Sequence, residues 1–194
     1  ALHRCRAGHH IVIADACHSL GASYHGAPVG TLAALSAFSF HPVKPITTAE
    51  GGAITTGDPE LARRMRVFRN HGITSTASQR DASGAVGYEM VELGFNYRLS
   101  DLQCALGAAQ LGRLEAWIER RQQIAARYGA AFADDPLFTP LERQPDSTHA
   151  YHLYVVRVAD GQRDAAFRYL REKGIGATLH YPPVHLHPYY RERF

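Results

Sequence analysis

At 194 residues the chain is a little longer than one average domain of roughly 150 residues, and its 45% hydrophobic content supplies a core, which excludes a disordered chain. Charged residues make up 20%, and 21 Lys plus Arg against 18 Asp plus Glu leave only +3, so no charge block points to nucleic acid or to a membrane surface. The longest apolar runs, 11–14 and 33–40, fall far short of the ~20 residues that span a bilayer, so no transmembrane or signal segment is expected. Cys5, Cys17 and Cys104 have neither paired nor CxxC spacing, which fits a reducing, cytoplasmic compartment.

In chain order, a basic stretch (His3, Arg4, Arg6, His9, His10) leads into Ile11-Val12-Ile13-Ala14, which reads as a buried strand. Further strands are expected at 33–40 and 53–56. Asp58-Pro59 is an N-cap and first-turn pair, and Leu61, Met65 and Phe68 give the following helix an apolar face that ends near Gly72. Residues 73–87 are polar and rich in Gly, Ser and Ala, and read as a surface loop. Ser100 to Gln103 is a capping box, and Leu111, Leu114 and Ile118 share one face of a single long helix running past Arg120 towards Tyr128. Pro136, Pro140 and Pro145 mark a connection into a second unit, expected to read strand (151–158), helix (163–173), strand (175–181).

Of the 21 basic residues, 19 are Arg and only Lys44 and Lys173 are Lys. Arg keeps its proton in a protein, whereas a Lys amine can lose it and attack a carbonyl, so each surviving Lys invites a chemical explanation. Lys173 has a bland one, since a cation in the last turn of a helix, just before Gly174, complements the helix dipole. Lys44 sits between Pro42 and Pro45 in SFHPVKPITTAEGG (39–52), a stiffened loop leaving a buried strand, which suits Schiff-base chemistry as well as a plain surface turn. Asp15 follows the first strand, where it can cap the turn 16–18 or meet a cationic ring nitrogen at a strand end, and His18 can face the same ligand. Twelve histidines raise a zinc reading, with His149/His152 and His180/His185/His187 the tightest groups, but no HExxH is present and no metal site is expected. His180 and His185, beside Tyr181 and Pro182-Pro183, read better as substrate-pocket residues.

Four ordered segments, VIADACHSLGA (12–22), SFHPVKPITTAEGG (39–52), RNHG (69–72) and GFNYRLSDLQCALGAAQL (94–111), resemble the DegT/StrS type of sugar aminotransferase, which depends on pyridoxal phosphate. Within that family, HPVKPITTAEGG and the late HYPPVHLHPYY (180–190) look most like members of the pseudaminic-acid pathway. The resemblance implies an α/β chain of aspartate aminotransferase-like fold (PLP fold type I), with a partial large domain and a smaller α+β C-terminal domain. Its expected divisions are 1–99 for the C-terminal part of the cofactor-binding domain, 100–133 for a connecting helix and 134–194 for the small domain. Family chains are longer, so this one is expected to be a fragment lacking the N-terminal part and the C-terminal end.

By the same resemblance Lys44 matches the lysine that binds the cofactor covalently, Asp15 the carboxylate paired with its ring nitrogen, and His18 a residue near its phenolic oxygen. Ser39 matches the phosphate-binding serine, and Asn96 an asparagine reaching the phosphate from the partner subunit of a homodimer with composite sites. Ala14 and Ala49 depart from the commoner acidic residue and glycine without touching these roles. The implied reaction is amino transfer from an amino acid, glutamate by expectation, to a nucleotide-linked 4-keto-6-deoxy sugar, of the UDP-linked 2-acetamido class. A noncatalytic sugar-binding or regulatory relative of the same fold is the alternative, but it has no need of Lys44 beside Asp15 and Ser39.

Overall fold

The computed structural model describes residues 10–194. Cys5 and the basic residues from His3 to His9 lie outside the described residues. The chain divides into two compact units, one comprising the chain up to Ala126 together with Arg143–Leu153, the other Arg127–Glu142 and Tyr154–Phe194.

The first unit opens with five strands, β1 (Ile13–Asp15), β2 (Ser23–Tyr24), β3 (Ala27–Pro28), β4 (Leu35–Ser39) and β5 (Gly52–Thr55). A mixed sheet has the order β1-β4-β5, with β1 parallel and β5 antiparallel to the central strand. Ser36 and Phe38 of β4 are buried while Leu35, Ala37 and Ser39 on the opposite face are half-buried, the period-2 alternation of a pleated strand. The expectation of a fully buried first strand fails: Ile13 is 67% exposed. Among the described residues β1 pairs on one edge only. A hairpin the sequence reading did not anticipate joins β2 to β3 through His25 and Gly26, both at positive φ, and this short sheet is completed by β7 (Ser147–Thr148) pairing with β2.

Helix α1 (Pro59–Phe68) starts as expected, with the Asp58 carboxylate accepting from the Glu60 and Leu61 amides. It stops before Gly72, because the chain from Phe68 onward turns to pair with residues 91–97. The segment 73–87 is not loop throughout: α2 (Ala77–Ser83) forms between a Thr76–Gln79 capping box and Gly84, whose φ of 66° gives a left-handed C-cap. The single long helix is instead two, α3 (Asp101–Leu111), which begins at the Ser100–Gln103 box, and α4 (Leu114–Ala131). They part at Gly112-Arg113, where the α3 ladder ends with the Gly112 amide on the Ala108 carbonyl and glycine's low helix propensity favours the break. Behind the break, Ile118 is buried and packs with Leu114 against the Gly21 turn.

In the second unit β6 (Phe138–Pro140) pairs antiparallel with β8 (Val156–Val158), followed by α5 (Arg163–Glu172) and a short terminal helix α6 (Pro188–Arg191). The strand expected over 151–158 is thus shortened to its last three residues, since Tyr151 takes a φ of 45° that no strand accommodates. The strand expected over 175–181 is absent too, because no partner among the described residues offers those backbone groups a ladder.

Candidate functional site

Asp15 ends β1 opposite Ala37 of β4, so its side chain shares a face with Ala37 and, two residues on, with Ser39. The Ala16 amide donates to the Ala37 carbonyl at 2.8 Å, extending the pairing one residue past the strand. Beyond it the chain turns, with the Cys17 amide donating to Asp15 Oδ1 at 3.1 Å. The capping and the functional readings of Asp15 are therefore compatible, since the carboxylate orders its own turn and remains exposed. The thiol and amide of Cys17 hold the Asp15 carboxyl below the usual carboxylate range, and the positive charges of His18 and Lys44 add to that. Reciprocally, Asp15 pushes the Cys17 thiol up, which keeps it protonated and argues against a nucleophilic thiol.

Lys44 lies in the turn that leaves β4. The Ser39 hydroxyl accepts from the His41 amide at 3.3 Å, His41 Nδ1 accepts from the Val43 amide at 3.4 Å, and the Lys44 amide donates to the His41 carbonyl at 2.9 Å. Because Ser39 Oγ acts as acceptor in this turn, its own proton is left for an outside acceptor such as a phosphate oxygen. The neck of the loop closes on Phe40, whose carbonyl receives the Thr48 amide at 2.9 Å and the Thr47 hydroxyl at 3.0 Å. Ile46 and Thr48 are 2% and 1% exposed, so they anchor a loop whose tip, at His41 and Val43, faces solvent.

His18 is exposed, and its ring meets that of His152 edge-on at 4.6 Å between centroids. The segment carrying His152 is held by α4, where Arg121 donates to the Tyr151 carbonyl at 3.0 Å and Gln122 to the His149 carbonyl at 3.3 Å. Asn96 is placed by a separate pairing. An isolated antiparallel bridge joins it to Asn70, and the Phe95 amide on the Phe68 carbonyl and the Tyr97 amide on the Arg69 carbonyl flank that bridge. Phe95 and Tyr97 stack at 4.9 Å with their planes 8° apart, both near Phe68, so alternation turns Asn96 to the opposite, exposed side. Gly72 is required in this pairing, because its φ is 71° and a Cβ there would overlap the Glu92 carbonyl.

The other sequence candidates, His180, Tyr181 and His185, belong to the second unit and are exposed. His180 stacks on Tyr181 at 4.2 Å, and His185 lines an open cavity of about 480 Å³ with Tyr190, Arg191 and Phe194. Among the described residues no three His, Cys, Asp or Glu side chains converge as a metal ion requires.

A carboxylate held ionised at the end of β1 and a lysine on the exit turn of the neighbouring parallel strand β4 thus stand at one end of the sheet. The sequence profile of the DegT/DnrJ/EryC1/StrS aminotransferase family matches residues 2–194. The chain belongs to that family. It is 38% identical over 184 residues to the UDP-4-amino-4,6-dideoxy-N-acetyl-beta-L-altrosamine transaminase of Campylobacter jejuni, covering 93% of this chain and 47% of that protein. Among solved structures it is similar to Helicobacter pylori PseC, an aminotransferase of pseudoaminic acid biosynthesis, with a TM-score of 0.88 and 34% identity over 100% of this chain and 51% of the other. Spr1654 of Streptococcus pneumoniae, in its PLP form, superposes with a TM-score of 0.83 and 31% identity, over 94% of this chain and 46% of that one. The chain spans about half the length of these relatives.

Sequence reasoning about this DegT-family chain missed the residues of α3 that grip the lysine loop. Gln103 donates to the Glu50 carbonyl at 2.8 Å, and Gln110 bonds both backbone groups of Thr47 at 3.1 Å each. Their signal was available: Gln103, Gly107 and Gln110 recur at i, i+4 and i+7, one helix face that is polar, then small, then polar. Such a face suits an exposed backbone better than an apolar core.

Proposed function

We propose that the protein is a pyridoxal-phosphate-dependent sugar aminotransferase that moves an amino group from glutamate to a nucleotide-linked 4-keto-6-deoxy sugar of the UDP-linked 2-acetamido class, working in the cytoplasm as a homodimer. The observation that carries the reading is that an ionised Asp15 at the end of β1 and the Lys44 turn that leaves β4 stand at the same end of two adjacent parallel strands. The residues present fit the cofactor: an exposed carboxylate for a protonated ring nitrogen, a primary amine for an aldehyde carbon, and a serine hydroxyl on the same sheet face for a phosphate oxygen.

When bound, pyridoxal phosphate supplies an electron sink for negative charge at the carbon next to the transferred nitrogen. Asp15 keeps a proton on the ring nitrogen, which its depressed pKa allows it to do as an anion throughout the neutral range. Lys44 would hold the cofactor through its amine and, as a free amine, would be the base and acid that moves the proton at the amino donor's Cα. Ser39 donates to the phosphate, and Asn96 of the partner subunit completes that phosphate site. His18 would face the cofactor's phenolic oxygen, and His180, Tyr181 and His185 are the candidates for holding the sugar.

The test is borohydride reduction of the intact protein with pyridoxal phosphate, followed by peptide mapping, alongside product analysis with candidate 4-keto nucleotide sugars and glutamate. A label on Lys44 and an aminated sugar support the reading. A label on Lys173 instead, or no amino transfer to any nucleotide sugar, overturns it.

A further inference from the structure

The lysine loop is tied to α3 by a contact that neither the capping of that helix nor the packing of its face demands. Thr47, three residues beyond Lys44, donates its amide to Gln110 Oε1 at 3.1 Å, and Gln110 Nε2 returns a hydrogen bond to the Thr47 carbonyl at 3.1 Å. One side-chain amide thus pairs with both backbone groups of a single residue 63 positions away in sequence. A single hydrogen bond leaves a peptide free to rotate about it, whereas two from a planar amide fix orientation as well as distance. The contacts made within the loop itself do less to orient it. Pro42 and Pro45 stiffen it internally, and the bonds of Thr47 and Thr48 to the Phe40 carbonyl close its neck, but all of these travel with the loop.

α3 is brought close enough for this grip by Gly107, one turn before Gln110, where a Cβ would lie 2.8 Å from Thr48 Cγ2. The opposite stem of the loop is held by Gln103 on the Glu50 carbonyl. Gln110 is half-buried, so its bonds are only partly exposed to competition from water. A reactive amine must meet its target carbon within a fraction of an ångström, and small misplacements from mutations remote from the chemistry are costly.

We propose that Gln110 is a positioning residue for Lys44, its paired hydrogen bonds to the Thr47 backbone fixing the turn from which the lysine amine projects. The inference rests on the reading of Lys44 as the cofactor-binding amine. It assigns Gln110 no contact with substrate or cofactor.

The experiment compares the intact protein with its Gln110→Met variant, which keeps side-chain length and helix propensity but removes both hydrogen bonds. Four quantities are read: borohydride trapping at Lys44, the pH midpoint of the absorbance change of the bound pyridoxal phosphate, kcat and KM for glutamate, and the thermal midpoint. The expected result is trapping still at Lys44, a displaced absorbance midpoint, and kcat lower by about tenfold or more with KM for glutamate within about twofold. A variant whose melting temperature falls while its absorbance midpoint and kcat stay at parental values shows Gln110 to be purely structural and overturns the proposal. Gln110→Glu, which keeps the acceptor for the Thr47 amide but sets a carboxylate against the Thr47 carbonyl, carries the same test where the Met variant does not fold. A parent protein that traps no cofactor at Lys44 sinks the proposed function itself, whereas trapping in the parent with parental behaviour in the variants sinks this inference alone.

Discussion

Asp15 and Ala37 face each other across the β1–β4 ladder, and that register alone sets the carboxylate on the sheet face that carries Ser39. Since β1 and β4 run parallel, both chains leave the sheet at the same end, which is where ligands collect in α/β sheets. The Asp15 turn and the Lys44 turn are therefore neighbours by topology, before any side chain is considered.

The first prediction follows from the charge of Asp15. Asp15→Asn preserves a side-chain oxygen able to accept the Cys17 amide, so the turn and the fold should survive. Under the proposed function it removes the anion that would keep the ring nitrogen protonated, so the half-reaction with glutamate, followed by stopped-flow absorbance, should slow by about 100-fold while cofactor still binds. Loss of fold and cofactor together would make the turn the residue's main role.

Lys44→Arg retains positive charge but offers a guanidinium that neither forms the covalent link nor gives up its proton at neutral pH. Turnover should drop by roughly 10³-fold or more. Circular dichroism should stay parental, because the Lys44 contact that closes the turn is made by its backbone amide. Retained transaminase activity would refute the assignment of Lys44.

What was legible in the sequence was what depends on neighbours in the chain. The Asp58 cap and the Ser100–Gln103 box each sit in a motif of a few residues with a local physical cause, while Asp15 at a strand end and Lys44 between two prolines stand out only as site candidates, with Ser39 added by the family resemblance. The Thr76–Gln79 box had the same form but was masked by a Gly/Ser/Ala-rich surrounding that reads as loop. Non-local features were not legible. The β2–β7 pairing spans more than a hundred residues, the grip of Gln110 on Thr47 spans 63, and segment 175–181 lacks a strand partner among the described residues, which no local pattern reveals. The break at Gly112 lay between, since one glycine lowers helix stability without deciding where a helix ends.

A pH prediction concerns His149, whose pKa is lowered by partial desolvation and then by the charge of Arg143. Its Nδ1 accepts the Tyr151 amide at 2.9 Å, which requires that nitrogen to be unprotonated. A histidine with a folded pKa below its unfolded value contributes stability that is present above the unfolded value near 6.5 and is lost as pH falls towards the folded one. The thermal midpoint should therefore decline on acidification below about pH 6.5, and His149→Asn, whose side-chain oxygen reaches the same amide without a titrating proton, should flatten that slope. An unchanged slope in the variant would assign the acid sensitivity elsewhere.

The last prediction concerns subunits. Asn96 is held rigidly, bridged to Asn70 and flanked by the stacked Phe95 and Tyr97, with its amide turned to the exposed side. A phosphate near a single lysine needs several donors, and Ser39 brings one hydroxyl, so an amide arriving from a partner chain meets a chemical need. Two inactive forms of the intact protein distinguish a shared site from a self-contained one: Lys44→Ala, and Asn96→Leu, which is bulky and donates nothing. In a mixed dimer with shared sites, one site collects both lesions and the other has none. Equal random mixing then makes half the dimers mixed and returns about a quarter of the parental activity, measured after confirming exchange by mass-tagged subunits. If Asn96 served its own subunit, every site in the mixed dimer would carry one lesion. Mixed dimers without activity would thus place Asn96 outside the partner's site.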